Sequence, residues 1–174
     1  MAITQWTDHD RDQVTRDLGR EPRGVVGVAA RSGTGHPLVV ATAPRLPNGT
    51  PFPTTFYLTF PALVNACSTL EAQHFMAELN VALEEDAELA AAYARAHQDY
   101  LRRRDEIGRS AGLGPVEEIE DFSAGGMPTR VKCLHALVGH SLAAGPGVNP
   151  IGDLALAEIR ARGLWDGDVQ TDDN

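Results

Sequence analysis

The spacing of apolar positions changes along the chain, and each change predicts an element. Over residues 7–19, Val14 and Leu18 fall four apart among polar neighbours. That spacing predicts a short helix, capped by Thr7 or Asp8 and ended by Gly19. Residues 24–30 read GVVGVAA and residues 38–42 read LVVAT, both rich in β-branched side chains. They predict two buried strands joined by a hairpin loop at 32–36. Residues 43–53 carry Pro44, Pro47, Pro51 and Pro53 around Asn48-Gly49, a stiff, turn-rich loop. Residues 54–59, TTFYLT, predict a third strand, and three short strands make a small antiparallel sheet.

From Pro61 the period becomes helical. Leu63, Cys67, Leu70 and His74 line one face, and Phe75, Leu79 and Leu83 continue it after a kink. Asp86 caps the next helix, whose stripe is Leu89, Tyr93, Ala96, Tyr100 and Ile107. Residues 108–128 have turn composition, with an acidic run at Glu117-Glu-Ile-Glu-Asp121 that reads as a solvated loop. The next helix is predicted over 129–144. It is apolar nearly all round, so it is a buried central helix. A shorter helix is predicted over 153–162. The fold class is therefore α+β: about three antiparallel strands packed against a helical bundle with one buried central helix. One domain is expected over residues 1–162, followed by an acidic, flexible tail over 163–174.

Composition narrows the class. The chain has 174 residues and a formal charge of −9, from 15 basic and 24 acidic side chains. That size supports a core without disulfides. The acidic balance argues against nucleic acid and anionic lipid as partners. Lys132 is the one lysine among those basic residues, a bias that suits a GC-rich genome. The first residues have neither a basic start nor an apolar core, so no signal peptide is expected. The longest uncharged stretch, 133–152, is broken by Gly and Pro and is no membrane span. With two cysteines, Cys67 and Cys133, a disulfide scaffold is not expected, and the chain reads as cytoplasmic.

Candidate chemistry gathers around the buried helix. His135 and His140 are polar groups on an apolar helix and need partners or a pocket to line. Ser123-Ala-Gly-Gly-Met-Pro128 precedes it, where Gly125 and Gly126 can turn backbone N–H groups to one point, with Arg130 and Lys132 as nearby cations. A helix start adds unpaired N–H groups, so this is a candidate anion site. The alternative is a glycine hinge with Pro128 in the first helical turn. A second glycine turn, 145–150, ends the helix, and Asn149 is its one side chain able to reach a ligand. No metal is expected. Cys133 and His140 are seven apart, about 10 Å along a helix, and Cys133 and His135 would point to different sides of it. No cofactor is expected, and no nucleophile motif is present.

Three blocks carry a family resemblance: 43–54 (APRLPNGTPFPT), 123–128 (SAGGMP) with 131–135 (VKCLH), and 145–150 (GPGVNP). Over about Asp10 to Leu156 the chain resembles the bacterial Domain of Unknown Function 501 family. The resemblance implies a small cytosolic protein of actinobacterial type, often encoded near a septum-formation initiator and an exopolyphosphatase-like protein. It names no activity. It also implies cysteines in many relatives where this chain has Ser32 and Phe60, and with Cys133 a thiolate site there. This chain keeps Cys133 alone, because Phe cannot ligate and Ser is a poor ligand for soft metals.

The leading expectation is a non-catalytic module that binds an anionic small molecule or a protein partner between Gly125 and His140. One alternative is an enzyme acting on a phosphorylated substrate, with His135 or His140 as acid–base. Another is an adaptor in cell division or envelope assembly, which rests on the gene neighbourhood that the resemblance implies. A homo-oligomer stays open.

Overall fold

The computed structural model describes residues 3–170. Helix α1 spans Asp8–Leu18, with Thr7 and Asp10 forming a reciprocal capping box and Gly19 closing the helix in the left-handed conformation. Strands β1 (Val25–Arg31), β2 (Pro37–Thr42) and β3 (Phe56–Leu58) form an antiparallel sheet in the order β1-β2-β3. The third strand is shorter than its pattern suggests. The Thr55 N–H leaves the ladder to bond the Tyr100 hydroxyl at 2.7 Å.

The helical half of the chain begins with α2 (Pro61–Ala72) and α3 (Phe75–Glu85). The expected kink is a full break, because His74 adopts φ 65° between the two helices and so does not extend the α2 stripe. Helix α4 (Ala87–Ser110) carries an Asp86 cap that accepts two N–H bonds. A single 3-10 turn follows at Glu117–Ile119.

Helix α5 spans Leu134–Ala144, so it starts five residues later than the apolar pattern predicts. The reason lies in the segment before it. Lys132 N–H bonds Gly125 O and Arg130 N–H bonds Gly126 O, which ties residues 125–132 into a turn of their own. Pro128 is thus outside the helix, and Cys133 is an extended N-cap. Helix α6 (Pro150–Ala161) starts three residues early, because the Asn149 side chain caps it by accepting from Gly152 N–H.

Packing follows from these faces. Helix α5 crosses one face of the sheet and touches all three strands, α2 and α6. It comes close to the sheet at Gly139, where a Cβ would stand 2.8 Å from Phe56 O. The main core gathers Val39, Ala41, Phe56, Leu63, Leu70, Tyr100, Leu134, Leu137 and Ile151. On the other face α1 covers Val28 and Val40 with Val14, all buried but outside that main cluster. Arg31 pins α1 there by a two-pronged bond to Asp10 (2.6 and 3.0 Å), which holds the Asp10 carboxyl down at about 2.

Residues 163–170, assigned by composition to an acidic tail, run back to the sheet. Trp165 is buried in the core, Gly33 N–H bonds Asp168 O, and Gln170 N–H bonds Arg31 O. The rest of that tail, 171–174, lies outside the described residues.

Candidate functional site

The residues singled out along the chain fall in three places. His140 and Asn149 are fully buried and bonded to each other. The Asn149 amide donates to His140 Nδ1 (3.1 Å), and His140 Nε2–H donates to Asp99 Oδ2 (3.0 Å). The ring stacks on Phe56 and meets the edge of Tyr100. Burial pulls the pKa of His140 below that of a free imidazole, although Asp99 opposes the shift. Both nitrogens are thereby matched to a neutral ring. Asp99 in turn receives Arg102 and Arg103, and its carboxyl stays low because these bonds outweigh burial.

The glycine turn is the second place. Gly125 and Gly126 both have positive φ, and a Cβ on either would meet Leu137 or Arg130 O within 2.6 Å. Glycine is required there to fold the turn against α5. Arg130 and Lys132 are exposed and take part in none of the described ion pairs.

His135 is in the third place, the start of α5. All other residues of that helix are buried, and His135 is only half-buried. Its Nε2 faces Val64 O at 3.1 Å and Ser68 Oγ at 3.2 Å, both on α2. Its Nδ1 faces Glu71 Oε1 at 3.2 Å and Cys133 Sγ at 3.9 Å. Glu71 Oε1 also accepts Leu134 N–H at 2.7 Å, so a side chain from α2 caps α5.

The charges at this point are coupled. Burial works to raise the Cys133 thiol, but the His135 ring and the first-turn amide of Ala136 outweigh it, and the net displacement is downward. His135 is raised, by Cys133 first and also, against burial, by Glu71. Cys67, fully buried one turn before Glu71, is pushed by burial up to about 12 and remains a thiol.

The expectation that Cys133 and His135 diverge assumed that both lie on a helix, where a two-residue step turns a side chain away. Cys133 instead precedes the helix in extended form, and the two side chains meet. Glu71 is a ligand-type residue that sequence patterns do not single out. Its signal was weak: it shares a face of α2 with Cys67 and ends the helix, with nothing local to tie it to residues 133–135. Ser32 and Phe60, where the resemblance implies cysteines in relatives, lie elsewhere. Ser32 accepts His36 N–H, and the His36 ring packs edge-on to Phe60. Phe60 precedes Glu71 by eleven residues, about 16 Å along α2.

Three cavities open among the described residues. One of about 320 Å³, by the loop after α4, is lined by Arg104 and Arg109 with Asp105, Glu117 and Glu120. One of about 460 Å³ is bounded by Ile3, Val26, Phe56 and Ile107, with Arg103 and Glu106 as a mixed pair. The third, about 340 Å³, lies on the α1 face of the sheet. Val40 and Thr42 form its buried floor, Leu18, Leu46 and Phe52 its walls, and Arg20, Arg23 and Tyr57 its polar groups. No described helix is long and apolar enough to cross a membrane.

A family model described as "Protein of unknown function (DUF501)" matches residues 28–157. No curated protein and no solved structure matches the chain.

Proposed function

We propose that this chain, which belongs to the DUF501 family, is a non-catalytic binding module for a small organic anion. The seat of that ligand is the cavity between the end of α1, the sheet and the 43–53 loop. The observation that carries the reading is its charge: Arg20 and Arg23 are its only charged lining residues, in a chain of net charge −9. The two cavities beside α4 mix both signs. Neither arginine meets a carboxylate among the described ion pairs, and Arg20 reaches only the Tyr57 hydroxyl, at 3.4 Å. The apolar floor and walls suit a carbon skeleton, and the arginines at the mouth suit its carboxylate, sulfonate or phosphate.

A dye with this chemistry, 8-anilinonaphthalene-1-sulfonate, tests the reading. Folded protein should bind it saturably at one equivalent, and Arg20→Ala with Arg23→Ala should weaken binding at least about tenfold, the loss of one or two charge-assisted hydrogen bonds. Equal binding by both proteins would refute it.

A second reading places the anion at the glycine turn, favoured by Arg130 and Lys132, which are exposed and take part in no ion pair among the described residues. A saturable rise in melting temperature with phosphate, abolished by Arg130→Ala with Lys132→Ala, would support that seat instead. The gradual effect of salts excluded from the surface would persist in both proteins. The enzyme alternative narrows to His135, because His140 is sealed in the core and bonded at both nitrogens.

A further inference from the structure

We infer that Glu71, Cys133 and His135 form a binding site for one divalent metal ion of the zinc, cobalt or ferrous class. The site lies on the α5 side of the sheet, away from the anion cavity, and does not depend on that reading.

Three elements deliver one ligand atom each: the last turn of α2, the residue before α5, and the first turn of α5. The sulfur, nitrogen and oxygen lie within 4.8 Å of one another. A tetrahedral zinc ion, with bonds of about 2.0–2.3 Å, sets its ligand atoms about 3.3–3.6 Å apart. The observed edges of 3.2 Å (N to O) and 3.9 Å (N to S) need to move by a few tenths of an ångström, and the third edge, S to O, lies within 4.8 Å.

The orientation of His135 is the stronger argument. A carbonyl oxygen can only accept, so Val64 O fixes the proton on Nε2. The Nδ1 lone pair then points at a carboxylate oxygen, which brings no proton, and at Cys133 Sγ, which at 3.9 Å is at most a weak S–H donor. Without a proton or a cation between them, that contact is repulsive. Metal-ligating histidines characteristically give their other N–H to a carbonyl or carboxylate in this way. Glu71 is likewise held in place by Leu134 N–H and keeps lone pairs to spare.

The donor set selects the ion. A thiolate and an imidazole disfavour magnesium and calcium, which take oxygen cages. Three protein ligands leave one position for water or an incoming ligand. Access is open, since the Glu71 and His135 side chains are each about a quarter exposed (25% and 28%). Cys67 is not a ligand, because its sulfur is sealed and stays protonated.

The test is cobalt titration of chelator-treated protein. The expected result is one equivalent bound, with a sulfur-to-cobalt charge-transfer band in the near ultraviolet, tetrahedral d–d absorption in the visible, and displacement by zinc. Cys133→Ser should lose the charge-transfer band, Glu71→Gln and His135→Gln should bind at least about tenfold more weakly, and Cys67→Ala should match the wild type. Wild-type protein needs no variant for a second readout. Zinc, and not magnesium, should protect Cys133 from iodoacetamide, as read by peptide mapping. No cobalt uptake by folded protein, a charge-transfer band that survives in Cys133→Ser, or alkylation of Cys133 indifferent to zinc would overturn the assignment.

Discussion

His140 and His135 sit five residues apart on α5, and each presents Nε2–H to an oxygen, Asp99 in one case and Val64 in the other. They differ in what faces Nδ1. At His140 it is the amide N–H of Asn149, which completes a neutral ring inside the core. At His135 it is a carboxylate oxygen and, at 3.9 Å, a sulfur that is at most a weak donor. One ring has a donor and an acceptor matched inside the core, and the other faces a carboxylate and a sulfur near the surface. The difference arises from position. His140 lies where α5 is enclosed by Phe56 and Tyr100. His135 occupies the one place on α5 that is not buried.

The largest effect should come from disrupting α5, which carries both histidines. Leu134 is completely buried, and Leu134→Asp should cost about 4 kcal/mol or more, enough to unfold a domain of ordinary stability. A folded Leu134→Asp protein by circular dichroism would remove α5 from the core. Next in size is His140→Ala, which leaves a cavity and strands the bonds of Asp99 and Asn149. It should cost about 3 kcal/mol in urea unfolding. A loss below about 1 kcal/mol would mean that the network is not structural.

Acid should act on the same histidine more gently. Burial holds the folded-state pKa of His140 below the free value of 6.5, aided by Arg103 and opposed by Asp99 and Asp153. Below that value the unfolded chain therefore binds more protons than the folded one, and stability should fall as pH drops from about 7. His97, also lowered by burial, adds in the same direction. The slope between pH 7 and 5 should shrink in His140→Gln, and an unchanged slope would show that His140 is already charged in the fold. The smallest expected effect is that of metal-free His135→Ala. A half-buried side chain with no completed network should cost under about 1 kcal/mol. A larger loss would make His135 a core residue like His140.

Much of the scaffold was legible from local signals. The Thr7 cap, the Gly19 end and the two strands before Thr42 follow from side chains a few residues apart. The α4 stripe is equally local. What was not legible depends on contacts across the chain. The pattern makes helix α5 longer because Val131 continues the apolar stripe of Leu134, Val138 and Leu142. The turn that removes it from the helix is a bond between Lys132 N–H and Gly125 O. Likewise, His135 and His140 looked alike as polar interruptions of an apolar helix. Their partners come from α2 in one case and from α4 and the α6 cap in the other. The pairing of Cys133 with His135 was missed for the same reason, since it exists only if residue 133 is extended. The cavity arginines, Arg20 and Arg23, had no local pattern at all. They matter because of what they face on the sheet.

The most direct measurement of the account's claim is nitrogen-15 imidazole spectroscopy of the folded protein, with and without one equivalent of zinc. The expected result is that His140 keeps a protonated Nε2 and an unprotonated Nδ1 throughout. With zinc, His135 should show a protonated Nε2 and a metal-shifted Nδ1. If zinc moves the His140 resonances, or leaves those of both rings unchanged, the distinction between the two histidines is contradicted.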